Sequence, residues 1–70
     1  MKVIINGEEK NIENDLTVQD LLLKLKLKPE MIAVEKNEEI LERENYTTAK
    51  INEGDILELI RFMGGGSGLA

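Results

Sequence analysis

The segment GDILELIRFM, residues 54–63, decides the fold because it contains the longest candidate strand in a chain of 70 residues. Leu57 and Leu59 alternate with Glu58 and Ile60, which is the two-residue period of a β-strand. We therefore predict that the two leucines face the core and that Ile60 faces the opposite side. The apolar content of this strand favours a central position, paired in parallel with the first strand of the chain.

A helix is predicted in TVQDLLLKLKLKP, residues 17–29. Thr17 can cap its first amides, and the side chain of Asp20, three residues later, can accept a hydrogen bond from the Thr17 amide in a capping box. Pro29 is expected to end the helix. One apolar stripe with spacing i, i+3, i+4 and i+7 is predicted to cover the sheet; its members are Val18, Leu21, Leu22 and Leu25.

The other strands surround this helix in the sequence. KVIING, residues 2–7, alternates around Val3 and Ile5 and then reaches Asn6-Gly7, a dipeptide typical of tight hairpin turns. The remaining elements are a return strand over about 9–12, a third strand in MIAVEK (31–36), a short fourth strand in ILER (40–43) and an irregular segment over 44–55. This order predicts an α+β fold of the β-grasp type, a mixed sheet of four to five strands packed on one main helix.

The composition excludes several classes of function. The chain has no cysteine and no histidine, so it lacks the usual thiol nucleophile, neutral-pH base and metal ligands. Fourteen acidic and nine basic residues give a net charge of −5, which disfavours nucleic acid as a partner. No apolar run approaches the roughly 18 residues of a membrane span. We expect a cytoplasmic, monomeric protein with an aliphatic core, no metal site and no catalytic residue.

Two surface features remain after the core is assigned. Ile4, Ile60 and Phe62 are predicted to face away from the helix on neighbouring strands, either as scattered exposed residues or as a docking patch. The chain continues into GGGSGLA, residues 64–70, which we interpret as a tail after a domain over 1–63. Such a tail can be a linker, an artificial addition, or a backbone that enters a narrow active site because it lacks Cβ atoms.

The order of the short motifs resembles that of the ThiS-type sulfur carriers of the ThiS/MoaD family. The matching stretches are NG after the first strand, TVQDLL (17–22), IAVEKNEEI (32–40) followed by ER, GD before the last strand and GG after it. The MoaD carriers of molybdopterin synthesis resemble the chain less in the second and third of these stretches. The resemblance implies a ubiquitin-like β-grasp domain that serves as a protein co-substrate and is not an enzyme.

The resemblance also implies a chemistry for the tail. The carboxyl group of Gly66, with Gly65 before it, would be adenylated by an ATP-dependent ThiF/MoeB-like enzyme and converted to a thiocarboxylate by a sulfur donor. Gly65 as the reactive end is the alternative. No cofactor is expected on the carrier itself, and thiazole synthase or another acceptor enzyme would receive the sulfur. Beyond the patch of Ile4 and Ile60, the arm that enters the activating enzyme would consist of Arg61, Phe62, Met63 and Gly64.

Residues 67–70, SGLA, depart from the family pattern because they follow the glycine that must carry a free carboxyl group. A processing peptidase could remove them, they could be artificial, or the activity could be lost. The destination of the sulfur also stays open between thiamine thiazole, cysteine or homocysteine, and molybdopterin. A ubiquitin-like protein modifier is a further alternative.

Overall fold

The computed structural model describes residues 1–61, which form one five-stranded sheet with a single α-helix on one face. The prediction of an α+β β-grasp fold is confirmed. Two short 3-10 helices, Pro29–Met31 and Arg43–Asn45, lie in the connections. The main elements are β1 (Lys2–Ile5), β2 (Glu8–Asn11), α1 (Val18–Lys24), β3 (Ile32–Lys36), β4 (Glu39–Leu41) and β5 (Ile56–Arg61).

Strand β5 lies at the centre of the sheet, as its apolar alternation predicts. The strand order is β2-β1-β5-β3-β4, with β5 parallel to β1 and antiparallel to β3. Leu57 lies opposite Ile5 of β1, and all but 1 % of its surface is buried. The central strand therefore supplies the middle of the core.

The core fills the space between α1 and the inner face of the sheet. Its buried aliphatic members come from three strands, the helix and the loops, and include Val3, Leu22, Val34 and Leu57. The expectation of a purely aliphatic core is wrong, because Tyr46 is also buried. The Tyr46 hydroxyl donates a 2.8 Å hydrogen bond to the carbonyl of Ile32 and so satisfies its polar atom inside the core.

Helix α1 ends earlier than predicted. Its last residue is Lys24, and Lys26 adopts a left-handed conformation with φ of 63°. The amides of Lys26 and Leu27 donate to the carbonyls of Leu23 and Leu22, at 2.9 Å each, which is the Schellman pattern. This cap, not Pro29, stops the helix, and it leaves Leu25 43 % exposed instead of completing the buried stripe.

The predicted capping box at the start of α1 is confirmed. The Asp20 amide donates to the Thr17 hydroxyl at 3.1 Å, and the Asp20 carboxylate accepts from the Thr17 amide at 3.0 Å. The hydrogen bond from the Thr17 amide to the carboxylate, followed by a side-chain interaction with Thr17, lowers the pKa of Asp20 below its ordinary value. The charged carboxylate is thus favoured in the folded state.

The lowered pKa of Asp20 predicts a pH-dependent stability. The contribution of the carboxylate is fully present above the pKa of the unfolded chain and is lost as the pH falls through the folded pKa. We expect Asp20→Asn to reduce the free energy of unfolding at neutral pH and to reduce it less at about pH 2. Urea unfolding at both pH values measures this difference.

Asp15→Asn is the matched control for Asp20→Asn. The Asp15 side chain is exposed and accepts no hydrogen bond within residues 1–61. We expect the control to change the free energy of unfolding by a similar, small amount at the two pH values. An Asp20→Asn effect that stays constant with pH would contradict the capping argument.

Candidate functional site

The outer face of the sheet, opposite α1, carries a row of exposed isoleucines. On β5, Ile56 and Ile60 point away from the helix because they alternate with the inward Leu57 and Leu59. They are 46 % and 50 % exposed. Ile4 of β1 lies directly opposite Ile56 and is half-buried, so these two residues form a cross-strand apolar pair.

The predicted pair of Ile4 and Ile60 shares this face, but the two residues are not adjacent. Ile60 lies four residues beyond Ile56, a distance of about 13 Å along the strand. Its cross-strand neighbour on β3 is Ala33. The predicted patch omits Ile56, although the same alternation that selects Ile60 also selects it.

The apolar surface extends to the edge strand β4. Ile40, which is 75 % exposed, lies opposite Glu35 of β3. Glu35 in turn lies opposite Glu58 of β5. The outer face thus consists of isoleucines around two glutamates that lie opposite each other, and neither Ile40 nor this pair is predicted from the sequence as part of a site.

Two side chains fix the position of β5 within the sheet. Asn37, in the turn between β3 and β4, accepts a 2.9 Å hydrogen bond from the Ile56 amide and donates a 3.0 Å bond to the buried carboxylate of Asp55. Beyond the end of β1, the side-chain oxygen of Asn6 accepts from the Leu59 amide at 2.8 Å. These bonds hold both ends of the segment that carries the outer isoleucines.

Comparison with known proteins identifies the family to which this domain belongs. The model of the ThiS family matches residues 3–66, which is nearly the whole chain. The chain belongs to the ThiS family. A crystal structure of the thiamine biosynthesis protein ThiS from Geobacter metallireducens has 38 % sequence identity and a TM-score of 0.81, and the alignment covers 94 % of this chain and 100 % of that one.

Two further relatives of this chain are a sulfur carrier protein and a thiazole synthase. The sulfur carrier protein ThiS of Bacillus subtilis is 35 % identical over 63 residues, which are 89 % of this chain and 96 % of that protein. A thiazole synthase of Paramagnetospirillum magneticum is 45 % identical over 67 residues, which are 96 % of this chain and 21 % of that protein. The ThiS-family chain therefore spans about a fifth of the length of that thiazole synthase.

The predicted arm of this ThiS-family chain begins at the end of β5. Arg61 is the last residue of the strand, lies opposite Ile32 and is exposed. Phe62, Met63, Gly64, Gly65 and Gly66 lie outside the described residues, as does the boundary predicted at 63–64. Their roles in docking and in forming a thiocarboxylate stay predictions.

The described part of the chain also offers surfaces other than the outer face of the sheet. Residues 1–61 contain no cluster of side chains that could hold a metal ion. No helix among them is long and apolar enough to cross a membrane. A groove of about 480 Å³ lies between α1 and the end of β2; its lining includes Ile12, Leu21 and Leu25, and the ion pair of Lys24 with Glu13 lies beside it.

Proposed function

We propose that this chain is a sulfur carrier for the biosynthesis of the thiazole of thiamine, with Gly66 as its reactive end. The observation that carries the proposal is that the ThiS family match ends at Gly66. The similarity to the sulfur carrier protein of Bacillus subtilis supports it, because the matched residues are nearly all of that protein. Gly66 is therefore preferred to Gly65 as the end that is charged with sulfur.

The proposed reaction has two steps, both at the carboxyl group of Gly66. One carboxylate oxygen attacks the α-phosphorus of ATP on the activating enzyme, and pyrophosphate leaves. A sulfur donor at the oxidation level of sulfide then attacks the acyl carbon and displaces AMP, which leaves a thiocarboxylate. The sulfur is thus carried on the carboxyl carbon, and a chain without cysteine can perform this role.

The proposal requires that the bond between Gly66 and Ser67 be cleaved first. In the present sequence Ser67 follows Gly66, so the carbonyl carbon of Gly66 is part of a peptide bond and Gly66 has no free carboxylate. An amide oxygen is a poor nucleophile towards ATP, whereas a free carboxylate is charged and accessible. A processing peptidase that removes residues 67–70 completes the proposed sequence of steps.

Two partners follow from this chemistry. A ThiF/MoeB-like adenylating enzyme binds ATP and provides the site of sulfur transfer, and it docks on the outer face through Ile4, Ile56 and Ile60. Thiazole synthase accepts the sulfur; the segments similar to this chain within proteins of that name, 45 % and 39 % identical, support this choice. The carrier acts as a co-substrate in both encounters.

The test uses a chain ending at Gly66, the adenylating enzyme of the same organism, ATP and a sulfide source. We expect the intact mass of the chain to rise by about 16 Da when one carboxyl oxygen is replaced by sulfur. The untrimmed chain ending at Ala70 is the control and is expected to keep its mass. A truncated chain that gains no mass, or that is recovered as conjugates to lysines of other proteins, would overturn the carrier proposal.

A further inference from the structure

The outer face of the sheet is the largest gathering of unpartnered apolar side chains among residues 1–61. Three of the five strongly exposed large aliphatic residues lie on it: Ile40, Ile56 and Ile60. They come from β4 and β5, with the small Ala33 of β3 between them. An uncovered sheet face with this composition is typical of a protein–protein interface.

Two glutamates of like charge lie in register in the middle of this face. Glu35 and Glu58 are directly opposite each other on the central antiparallel pair β3 and β5, where Cβ atoms are about 5 Å apart. Like charges in this arrangement destabilise a sheet. The free domain therefore contains a repulsion that alanine or lysine at either position would remove.

Neither of these two carboxylates belongs to one of the ion pairs found within residues 1–61. The four ion pairs found within residues 1–61 engage Lys2, Lys10, Lys24 and Lys36, with Glu9, Glu8, Glu13 and Asp55 as their acidic partners. Residues 62–70 contain no lysine, arginine or histidine. In the free domain solvent and dissolved ions screen Glu35 and Glu58, so a basic group on a partner can supply their counter-charge.

The chemistry of this face selects the kind of partner that fits it. Two uncompensated carboxylates repel the phosphates of nucleic acids and of anionic lipids. Isoleucines around them favour a protein surface on which a cation is ringed by apolar side chains. An arginine suits the position well because its planar guanidinium can donate hydrogen bonds to two carboxylates at once.

The adenylating enzyme is the occupant that meets these conditions. It must bind ATP and the carboxylate of Gly66, both anionic, and therefore presents cationic groups near that end. Gly66 is the fifth residue after Arg61, so an enzyme that holds Gly66 must approach within about 18 Å of the end of β5. Glu58 lies only three residues before Arg61, on the same strand.

We propose that the adenylating enzyme docks on this face by placing a basic side chain between Glu35 and Glu58, while Ile40, Ile56 and Ile60 pack around it. The inference rests on the proposed function and adds the charge of the partner and the contribution of β3 and β4. The like-charge pair is then relieved on binding, so the same two residues weaken the free domain and strengthen the complex.

The experiment compares the chain ending at Gly66 with its Glu35→Gln/Glu58→Gln double variant. Calorimetry with the adenylating enzyme of the same organism measures the dissociation constant at low and high salt. We expect the double variant to bind at least about tenfold more weakly and with a shallower salt dependence. We also expect the Tm of the free variant to rise by about 2–5 °C, because the repulsion is gone.

Glu30→Gln/Glu44→Gln is the matched control because it removes the same charge from exposed residues outside the five strands. We expect the control to bind within about twofold of the unmodified chain. Equal binding by the outer-face double variant would overturn the inference, and so would a loss of binding accompanied by a lower Tm. Weaker binding together with a failure of the unmodified chain to become adenylated would instead overturn the proposed function and leave the inference standing.

Discussion

Replacing Leu22 by alanine is expected to reduce the free energy of unfolding by about 2–5 kcal/mol. Leu22 is fully buried between α1 and the sheet, and its carbonyl also accepts the bond that caps the helix. The substitution removes apolar contacts and leaves a cavity. Since a domain of this size has a total stability of roughly 4–10 kcal/mol, the variant is expected to be close to unfolding at room temperature.

Urea unfolding followed by circular dichroism measures this loss, with Leu23→Ala as the matched control. Leu23 is the next residue of the same helix and is 55 % exposed, so its truncation should change the free energy by no more than about 0.5 kcal/mol. The two variants make the same chemical change one position apart. Equal losses would contradict the placement of the buried stripe of α1.

The position of Leu59 shows how far the alternation of a strand predicts burial. Leu59 shares the inward face of β5 with Leu57, and the sequence predicts both as core residues. Leu57 is buried, but Leu59 is only half-buried. The reason is that β1 ends at Ile5, so no residue of β1 pairs with Leu59. On that side, the Leu59 amide is bound only by the side chain of Asn6. We therefore expect Leu59→Ala to destabilise the domain less than Leu22→Ala.

Most of the fold could be predicted because its signals are local. The Asn6-Gly7 turn, the capping box of Thr17 and the alternation of β5 each depend on residues close together in the chain, and the structure confirms all three. The predicted end of α1 is wrong because Lys26 takes the left-handed position usually held by glycine. No residue preference at that position signals the cap.

The candidate site could be predicted only in part because it depends on register between distant strands. Alternation places Ile4 and Ile60 on one face, but which residues lie opposite each other depends on the lengths of the turns and crossings that connect the strands. The pairing of Glu35 with Glu58 joins residues 23 positions apart in the sequence, and no local pattern encodes it. The burial of Tyr46 also depends on a contact between distant residues, since its hydroxyl donates a hydrogen bond to the carbonyl of Ile32, 14 positions earlier.

Replacing Gly65 by valine is expected to abolish adenylation of a chain that ends at Gly66 while leaving the fold intact. Under the proposed function, the residues before the reactive carboxyl pass through a narrow channel of the activating enzyme. A branched Cβ at residue 65 restricts the backbone angles and adds bulk where the proposed channel admits only backbone. The free energy of unfolding should not change, because the core that the described residues 1–61 form extends along β5 only as far as Leu59.

ATP–pyrophosphate exchange by the adenylating enzyme measures this effect, since it reports formation of the acyl adenylate before any sulfur is added. We expect exchange to fall at least about a hundredfold for Gly65→Val and by an intermediate factor for Gly65→Ala, which adds a single methyl group. Glu44→Gln, a substitution on an exposed connection, is the control and should exchange normally. Undiminished exchange by the valine variant would show that the enzyme does not enclose the backbone at residue 65. This result would contradict the proposed narrow channel.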